Sequence, residues 1–306
     1  MRERWQVSRK DEDQGSLKTS NINMQSSEQR KKAEAFRSLH TGDGVVLLPN
    51  VWDAATARIV EEAGFAAIAT TSAGIAFAQG FPDGQKIPSE QMMTAIATIA
   101  QVASVPVTAD VEAGYGETAE RAGETARQVI EAGAVGMNFE DATGDTSRPL
   151  AELALQLERI KAIRETSARL GELLVLNART DVYLLQVGEP GKRYDEAVRR
   201  LAAYRDAGAD CVFVPGLRDL PTIKRIVGDL GCPVNILGVP GSPSVRELAE
   251  SGVKRISLGS GPMRAAMGLL RRVAEELKTA GTYHQMESAP SHAEMNQLMS
   301  PGRATI

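Results

Sequence analysis

The chain has 306 residues, a formal net charge of −4, 42% hydrophobic residues and two cysteines. That length allows one large domain or two small ones with a full core, and a mildly acidic balance without a basic run argues against nucleic acid and against anionic membranes as partners. No apolar stretch reaches the ~18 residues of a membrane span, Met1–Lys32 lacks the apolar segment of a secretory signal, and Cys211 and Cys232 alone make no disulfide framework, so a reducing cytoplasm fits.

Residues 1–30, rich in Ser, Gln, Asn, Lys and Glu, read as a disordered tail, and Met24 offers a second start, so 1–23 are expected to be dispensable. A helix is predicted over Lys31–His40, with Phe36 and Leu39 on one face. From there the pattern is regular. Predicted strands cover Val45–Leu48, Ala66–Ala69, Val105–Ala109, Val135–Phe139, Leu173–Asn177, Cys211–Val214, Val234–Leu237 and Arg255–Leu258. Predicted helices follow them over Asp53–Ala63, Ser89–Ala103 (after a long loop), Glu117–Ala132, about Leu150–Leu170, Tyr194–Ala207, Leu220–Leu230, Ser244–Ser251 and Pro262–Thr279. Several helices end on one signal, as in Glu131-Ala132-Gly133 and Asp206-Ala207-Gly208, with a strand directly after. Eight strand–helix units predict an α/β protein, a (β/α)8 TIM barrel over 31–280, followed by a polar tail over 281–306. No GxGxxG follows a strand, which argues against a dinucleotide fold.

In such a barrel chemistry gathers at the C-terminal ends of the strands. Those ends carry Asn50, Trp52 and Asp53; Thr70, Thr71, Ser72 and, further along, Asp83; Asp110 and Glu112; Asn138, Glu140 and Asp141; Asn177, Arg179 and Asp181; Pro215; Asn235; and Gly259-Ser260-Gly261. Hard carboxylate oxygens without His or Cys beside them suit Mg²⁺ or Mn²⁺ better than zinc. The plain alternative for Asp110 and Glu112 is a helix cap and a solvated loop acid. Asp53 reads as a helix N-cap, Trp52 as packing, and Asp181 either as part of the site or as an ion-pair partner. Arg179 offers a two-pronged grip on a carboxylate. His40, His284 and His292 all fall outside the barrel units, and no GxSxG nucleophile turn is present.

Leu48-Pro49-Asn50-Val51-Trp52-Asp53, Thr70-Thr71-Ser72-Ala73-Gly74, Gly80-Phe81-Pro82-Asp83, Asp110-Val111-Glu112-Ala113-Gly114-Tyr115-Gly116, Glu140-Asp141 and Asn177-Ala178-Arg179-Thr180-Asp181 resemble, in this order, the isocitrate lyase/phosphoenolpyruvate mutase superfamily, over about Ala35–Thr279. The resemblance implies a Mg²⁺-dependent (or Mn²⁺-dependent) enzyme of 2-oxo acids. By position it makes Asp110 the direct metal ligand and Asp83, Glu112 and Glu140 the acids around the metal-bound waters. It makes Asp110, Glu140 and Arg179 the catalytic group, and Thr70, Thr71, Ser72, Arg179 and Asn235 the substrate-binding set. It also implies a homotetramer in which the last helix swaps between neighbours.

Lyases of the superfamily carry Lys-Arg-Cys-Gly-His on a loop after the fourth strand, and mutases a Lys and an Asn there. Here Glu140-Asp141-Ala142-Thr143-Gly144-Asp145-Thr146-Ser147-Arg148-Pro149 is short, with no Cys and no Lys, and Pro215 replaces a His found in some mutases. The sequence is thus similar to the short-loop, carboxyphosphonoenolpyruvate phosphonomutase-like branch. The expected activity is that of a lyase working on a C–C bond beside a small 2-oxo or 2-hydroxy carboxylate through an enolate, as in oxaloacetate decarboxylation. The alternatives are a phosphonomutase or phosphonopyruvate hydrolase and a non-catalytic 2-oxo-acid binding protein.

Overall fold

The computed structural model describes residues 27–300. Nine strands, β1 (Val46–Leu48), β2 (Asn50–Val51), β3 (Ile68–Thr70), β4 (Val107–Asp110), β5 (Gly136–Glu140), β6 (Val175–Arg179), β7 (Cys211–Phe213), β8 (Val234–Leu237) and β9 (Arg255–Ser257), form one sheet in the order β1-β9-β8-β7-β6-β5-β4-β3-β2. All pairs are parallel; β1 pairs with β9, Val46 beside Arg255, and β2 with β3, Asn50 beside Ala69. The two end strands are halves of one barrel strand parted at Pro49, which has no N–H to give a ladder. The sheet therefore closes on itself, and the architecture is the expected (β/α)8 barrel.

Helices α1 (27–41), α2 (Ala54–Glu62), α3 (Ser72–Ala78), α4 (Ser89–Val102), α5 (Ala119–Glu131), α6 (Leu153–Leu170), α7 (Arg193–Asp206), α8 (Leu220–Leu230), α9 (Val245–Glu250), α10 (Gly261–Thr279) and α11 (His292–Met299) accompany the strands. Most strands are buried on both faces, and one such as β7, Cys-Val-Phe, reads as an unbroken apolar run. The main core lies between strands and helices, with Met92, Ile96, Val129, Ile160, Leu201 and Ile226 fully buried. A second cluster fills the floor of the barrel, where Phe36 of α1 plugs the N-terminal ends of the strands against Val46, Ala67, Val135 and Val175. No helix of the described residues is long and apolar enough to cross a membrane. Cys211 and Cys232 are free thiols.

Three expectations need correction. The loop after the second predicted strand contains α3, whose residues SAGIAFA are small or apolar all round and show no polar face to the sequence. The expected tail over 1–30 is helical from residue 27, because Gln29 Nε2 donates to Ile130 O at 2.7 Å and Arg30 Nη2 to Gly171 O at 2.7 Å. The expected polar tail over 281–306 contains α11, which packs on α2 and buries Leu298. Its start is a capping box between Ser291 and Glu294, an S-x-x-E signal present in the sequence. The expectations for residues 1–26 and 301–306 lie outside the described residues.

Gly216 fixes the loop after β7 against the loop after β6. Its φ is +86°, and an added Cβ would lie 2.8 Å from the backbone nitrogen of Leu184. Gly216→Ala therefore meets both backbone strain and a clash with main chain that cannot rotate away, and is expected to cost about 1–3 kcal/mol, read as a lower midpoint in denaturant unfolding.

Candidate active site

The C-terminal mouth of the barrel holds a cavity of about 230 Å³ lined by Asn50, Thr71, Ser72, Asp83, Asp110, Asn138, Arg179, Leu184, Phe213, Ser257 and Arg264, among others. Of the predicted site residues, Thr71, Ser72, Asp83, Asp110 and Arg179 reach this cavity. Thr70 and Asn235, both fully buried, do not; they support the wall from behind. Thr70 Oγ1 accepts from the Asp110 backbone N–H at 2.9 Å, and Asn235 Nδ2 donates to Ser257 Oγ at 3.2 Å.

Asp110 ends β4 and is 8% exposed. Its Oδ2 accepts from the backbone N–H of Ser72 at 3.1 Å and from Ser72 Oγ at 2.8 Å, while its Oδ1 is enclosed and has no protein partner. Ser72 is held by the start of α3, whose N-cap Thr71 accepts from Gly74 N at 3.2 Å. Glu112 sits behind Asp110 with its backbone in the left-handed region, φ 52°. One of its oxygens accepts from Gln85 N at 2.7 Å, and Oε1 is enclosed without a partner. Burial first, then the charges of Asp83 and Asp110, push the Glu112 carboxyl up to about 8. Asp83, at the rim, is also raised by desolvation, with repulsion from Asp110 adding to it.

Arg179 ends β6 and is committed on every side. Its Nε and Nη2 grip Asp181 at 2.6 and 2.9 Å, and its Nη1 pairs with Glu140 Oε2 at 2.7 Å. Burial alone would lower it, but Asp181 and Glu140 hold the guanidinium above its ordinary value. Burial raises Glu140 well above the carboxylate range, against the pull of Arg179. Asp181 thus takes the ion-pair reading left open by the sequence, and Asp53 is the N-cap of α2 in a full capping box.

Asp141 turns away from the mouth and is fully enclosed. It accepts from Thr180 Oγ1 at 2.6 Å, Tyr204 Oη at 2.7 Å, the Asp181 N–H at 2.9 Å and Arg200 Nη1 at 3.2 Å. It ties the loops after β5 and β6 to α7 and is structural. The segment after it closes on itself: Ala142 bridges Leu150, and Thr143 N donates to Pro149 O at 3.1 Å. No residue of 141–149 lines the mouth cavity. Asn50 closes the opposite side, its Oδ1 accepting from Leu258 N at 2.7 Å and Gly259 N at 2.9 Å and its Nδ2 donating to Thr70 O at 2.7 Å. The sequence reading missed Leu184, Phe213 and Arg264; Arg264 alone had a signal, as a cation one turn after the glycine-rich end of the last strand.

The enclosed, partnerless oxygens of Asp110 and Glu112 are acceptors that a hard cation fits, and the acids around them are held up in pKa by burial and mutual repulsion, which a cation would relieve. Among the described residues no group of three or more His, Cys, Asp or Glu side chains could hold a metal jointly. Mg²⁺ keeps several waters and takes one or two carboxylates, so Asp110 could hold it directly, with Asp83, Glu112 and Glu140 as candidates for contact through water.

Fold and mouth together define a (β/α)8-barrel protein with an acid-lined site at the C-terminal ends of its strands. The chain belongs to the phosphoenolpyruvate phosphomutase family, whose model matches residues 36–278, and so to the isocitrate lyase/phosphoenolpyruvate mutase superfamily. A crystal structure of a Burkholderia cenocepacia J2315 protein superposes with a TM-score of 0.85 at 40% identity, covering 90% of this chain and 98% of that one. Uncharacterized protein Rv1998c of Mycobacterium tuberculosis (strain ATCC 25618 / H37Rv) is 33% identical over 233 residues, 76% of this chain and 84% of that protein. Oxaloacetate decarboxylase of Rhodopseudomonas palustris (strain BisB5) is 28% identical over 275 residues, 86% of this chain and 90% of the relative. Other matches carry the names 2-methylisocitrate lyase, 2,3-dimethylmalate lyase and oxaloacetate acetylhydrolase.

Proposed function

We propose that the chain is a Mg²⁺-dependent lyase that breaks a C–C bond beside a 2-oxo or 2-hydroxy carboxylate, with decarboxylation of an oxaloacetate-like acid as the reaction its mouth supports best. The observation that carries this reading is the make-up of the mouth. A free, enclosed oxygen of Asp110 lies at a cavity that, among the described residues, is lined by no His, Cys, Lys or Tyr. Cleavage that begins by taking a proton from a substrate hydroxyl needs a base, and the carboxylates Asp83 and Asp110 are the candidates for it in this lining. Loss of CO₂ from a 3-carboxy-2-oxo acid needs none: the bond to the leaving carboxylate breaks, its electron pair moves toward the 2-oxygen, and C3 takes a proton from solvent. The relative named oxaloacetate decarboxylase supports this choice.

Bound at Asp110, Mg²⁺ (or Mn²⁺) would supply a Lewis acid for the charge that gathers on the ligand's oxygens. The chain's own residues do the rest. Ser72 fixes the Asp110 carboxylate through its N–H and its hydroxyl, and Thr71, whose N–H is bonded to Val51 O, lines the wall beside it. Arg179, braced by Asp181 and Glu140, places a fixed positive charge at the wall. Leu184, Phe213 and Leu237 keep water from the opposite side. In a reducing cytoplasm Cys211 and Cys232 stay free.

The test is turnover of oxaloacetate, 2-methylisocitrate and phosphonopyruvate by purified protein, with and without Mg²⁺. Pyruvate and CO₂ from oxaloacetate, above the metal-only rate, is the expected result. Turnover of the phosphono acid alone points to the P–C alternatives, and binding without any turnover to the non-catalytic one; either overturns the proposal.

The same reading includes a homotetramer. On α10, whose apolar residues Met263, Ala266, Met267 and Leu270 would meet a neighbouring copy in the swapped arrangement, Met263 turns inward in its own chain, 2% exposed. Met267, Leu269, Leu270 and Leu277 remain exposed by 41–58% along α10, a stripe that a neighbouring copy would cover. Light scattering at micromolar concentration should give four copies; a monomer would remove the swapped-helix arrangement.

A further inference from the structure

Asn138, on β5, is 5% exposed and lines the mouth cavity. From below, its Oδ1 accepts from Asn177 Nδ2 at 2.7 Å and from Arg255 Nη2 at 3.0 Å. Arginine has no acceptor, so the atom of Asn138 that faces it is the oxygen, and chemistry settles which way the amide points. The other end, Nδ2, makes no hydrogen bond within the described residues. It is also absent from the enclosed partnerless atoms, which include Asn177 Oδ1 and Arg255 Nε and Nη1. It is a donor open to the cavity.

Arg255 is fully buried at the start of β9, above the ring of Phe36 at 5.7 Å and beneath Asn138. No carboxylate lies within ion-pair distance of it among the described residues. Desolvation pulls it down to about 10, with Cys211 and Asp110 opposing, so it remains a cation at neutral pH. A buried cation without a counter-charge is costly, and an apolar side chain would pack this interior at less expense. What an apolar residue could not do is hold the Asn138 oxygen down and polarise the amide.

We propose that Asn138 Nδ2 is a ligand-binding donor of the mouth, taking an oxygen of the bound 2-oxo carboxylate, and that Arg255 is a positioning residue acting through it; the ligand class rests on the function proposed above. The acceptor it selects is an oxygen that carries or gains negative charge, because a donor backed by a buried cation bonds such an oxygen best. Asn138 thus adds a neutral donor to a mouth in which Arg179 is already committed to two carboxylates.

The test is calorimetric titration of oxalate, a planar stand-in for a 2-oxo carboxylate, at saturating Mg²⁺. Asn138→Leu, of similar volume, is expected to weaken oxalate roughly ten- to hundredfold, the range of one hydrogen bond to a charged group, with Mg²⁺ affinity close to the parent and a lower melting temperature, because Asn177 Nδ2 and Arg255 Nη2 lose their acceptor. Asn138→Ala is the second variant should the leucine disturb folding. Arg255→Met should weaken oxalate in the parent background and add nothing in the Asn138→Leu background, and Arg255→Lys should recover part of the loss. Unchanged oxalate affinity in a folded Asn138 variant overturns the proposal alone. Additive losses from Arg255→Met and Asn138→Leu overturn the role of Arg255. A parent that takes up no oxalate at any Mg²⁺ concentration overturns the functional reading together with this one.

Discussion

Asp110→Asn is expected to abolish Mg²⁺-dependent turnover and most Mg²⁺ affinity while leaving the fold intact. The amide keeps the shape of the side chain, so Ser72 can still donate to it, but it loses the charge that holds a hard cation. Losing an outer-shell partner of a metal typically costs 10–100-fold; losing the direct ligand should exceed ~100-fold in both metal affinity and rate. The metal-free protein should melt at or slightly above the parent temperature, because the charge of Asp110 repels Asp83 and Glu112. Arg179→Lys should behave oppositely, binding Mg²⁺ but saturating poorly with substrate, since an ammonium cannot span Asp181 and Glu140 as the fork does. Titration of Mg²⁺ into both variants, followed by substrate saturation curves, checks the pair. Parent-like Mg²⁺ affinity in Asp110→Asn would remove Asp110 from the metal role.

The largest stability effect is expected at Asp141. Its carboxylate is, with Glu196, one of two counter-charges of buried Arg200 and the acceptor for Thr180, Tyr204 and the Asp181 N–H. Asp141→Ala leaves Arg200 with Glu196 as its one carboxylate and strands the donors of Thr180, Tyr204 and the Asp181 N–H inside the protein. Breaking one partner of such a pair costs about 3–5 kcal/mol, and in a domain this large that lowers the melting temperature by roughly 10 °C. Asp141→Asn keeps part of the acceptor capacity and should lose less. Thermal melts of the two variants check the order, and a parent-like melt for Asp141→Ala would show that the network is not structural.

The barrel was legible because its parts speak locally. Strands buried on both faces, such as Cys211–Phe213, read as continuous apolar runs, and helix ends such as Ala132-Gly133 mark each return. Helix α3 was not legible, since a short helix buried on nearly every side has no periodicity to show. At the mouth Asp110, Ser72 and Arg179 line the cavity, but strand-end position alone could not separate front from back. Asp141 follows Glu140 directly, yet it points into the wall and Glu140 toward Arg179, while Thr70 and Asn235 stand one layer behind the cavity. The partner of each acid was equally hidden: Glu112 meets Gln85, 27 positions away, and Asn138 meets Arg255, 117 positions away. Only closure of the barrel brings these groups together.

The central claim, that this mouth holds a divalent cation which in turn holds a 2-oxo carboxylate, is tested most directly by titrating oxalate into the purified protein by calorimetry, once with Mg²⁺ and once with the metal removed by chelation. The expected result is saturable uptake of one oxalate per chain with Mg²⁺ and no measurable heat without it. Equal binding in the two titrations would contradict the claim.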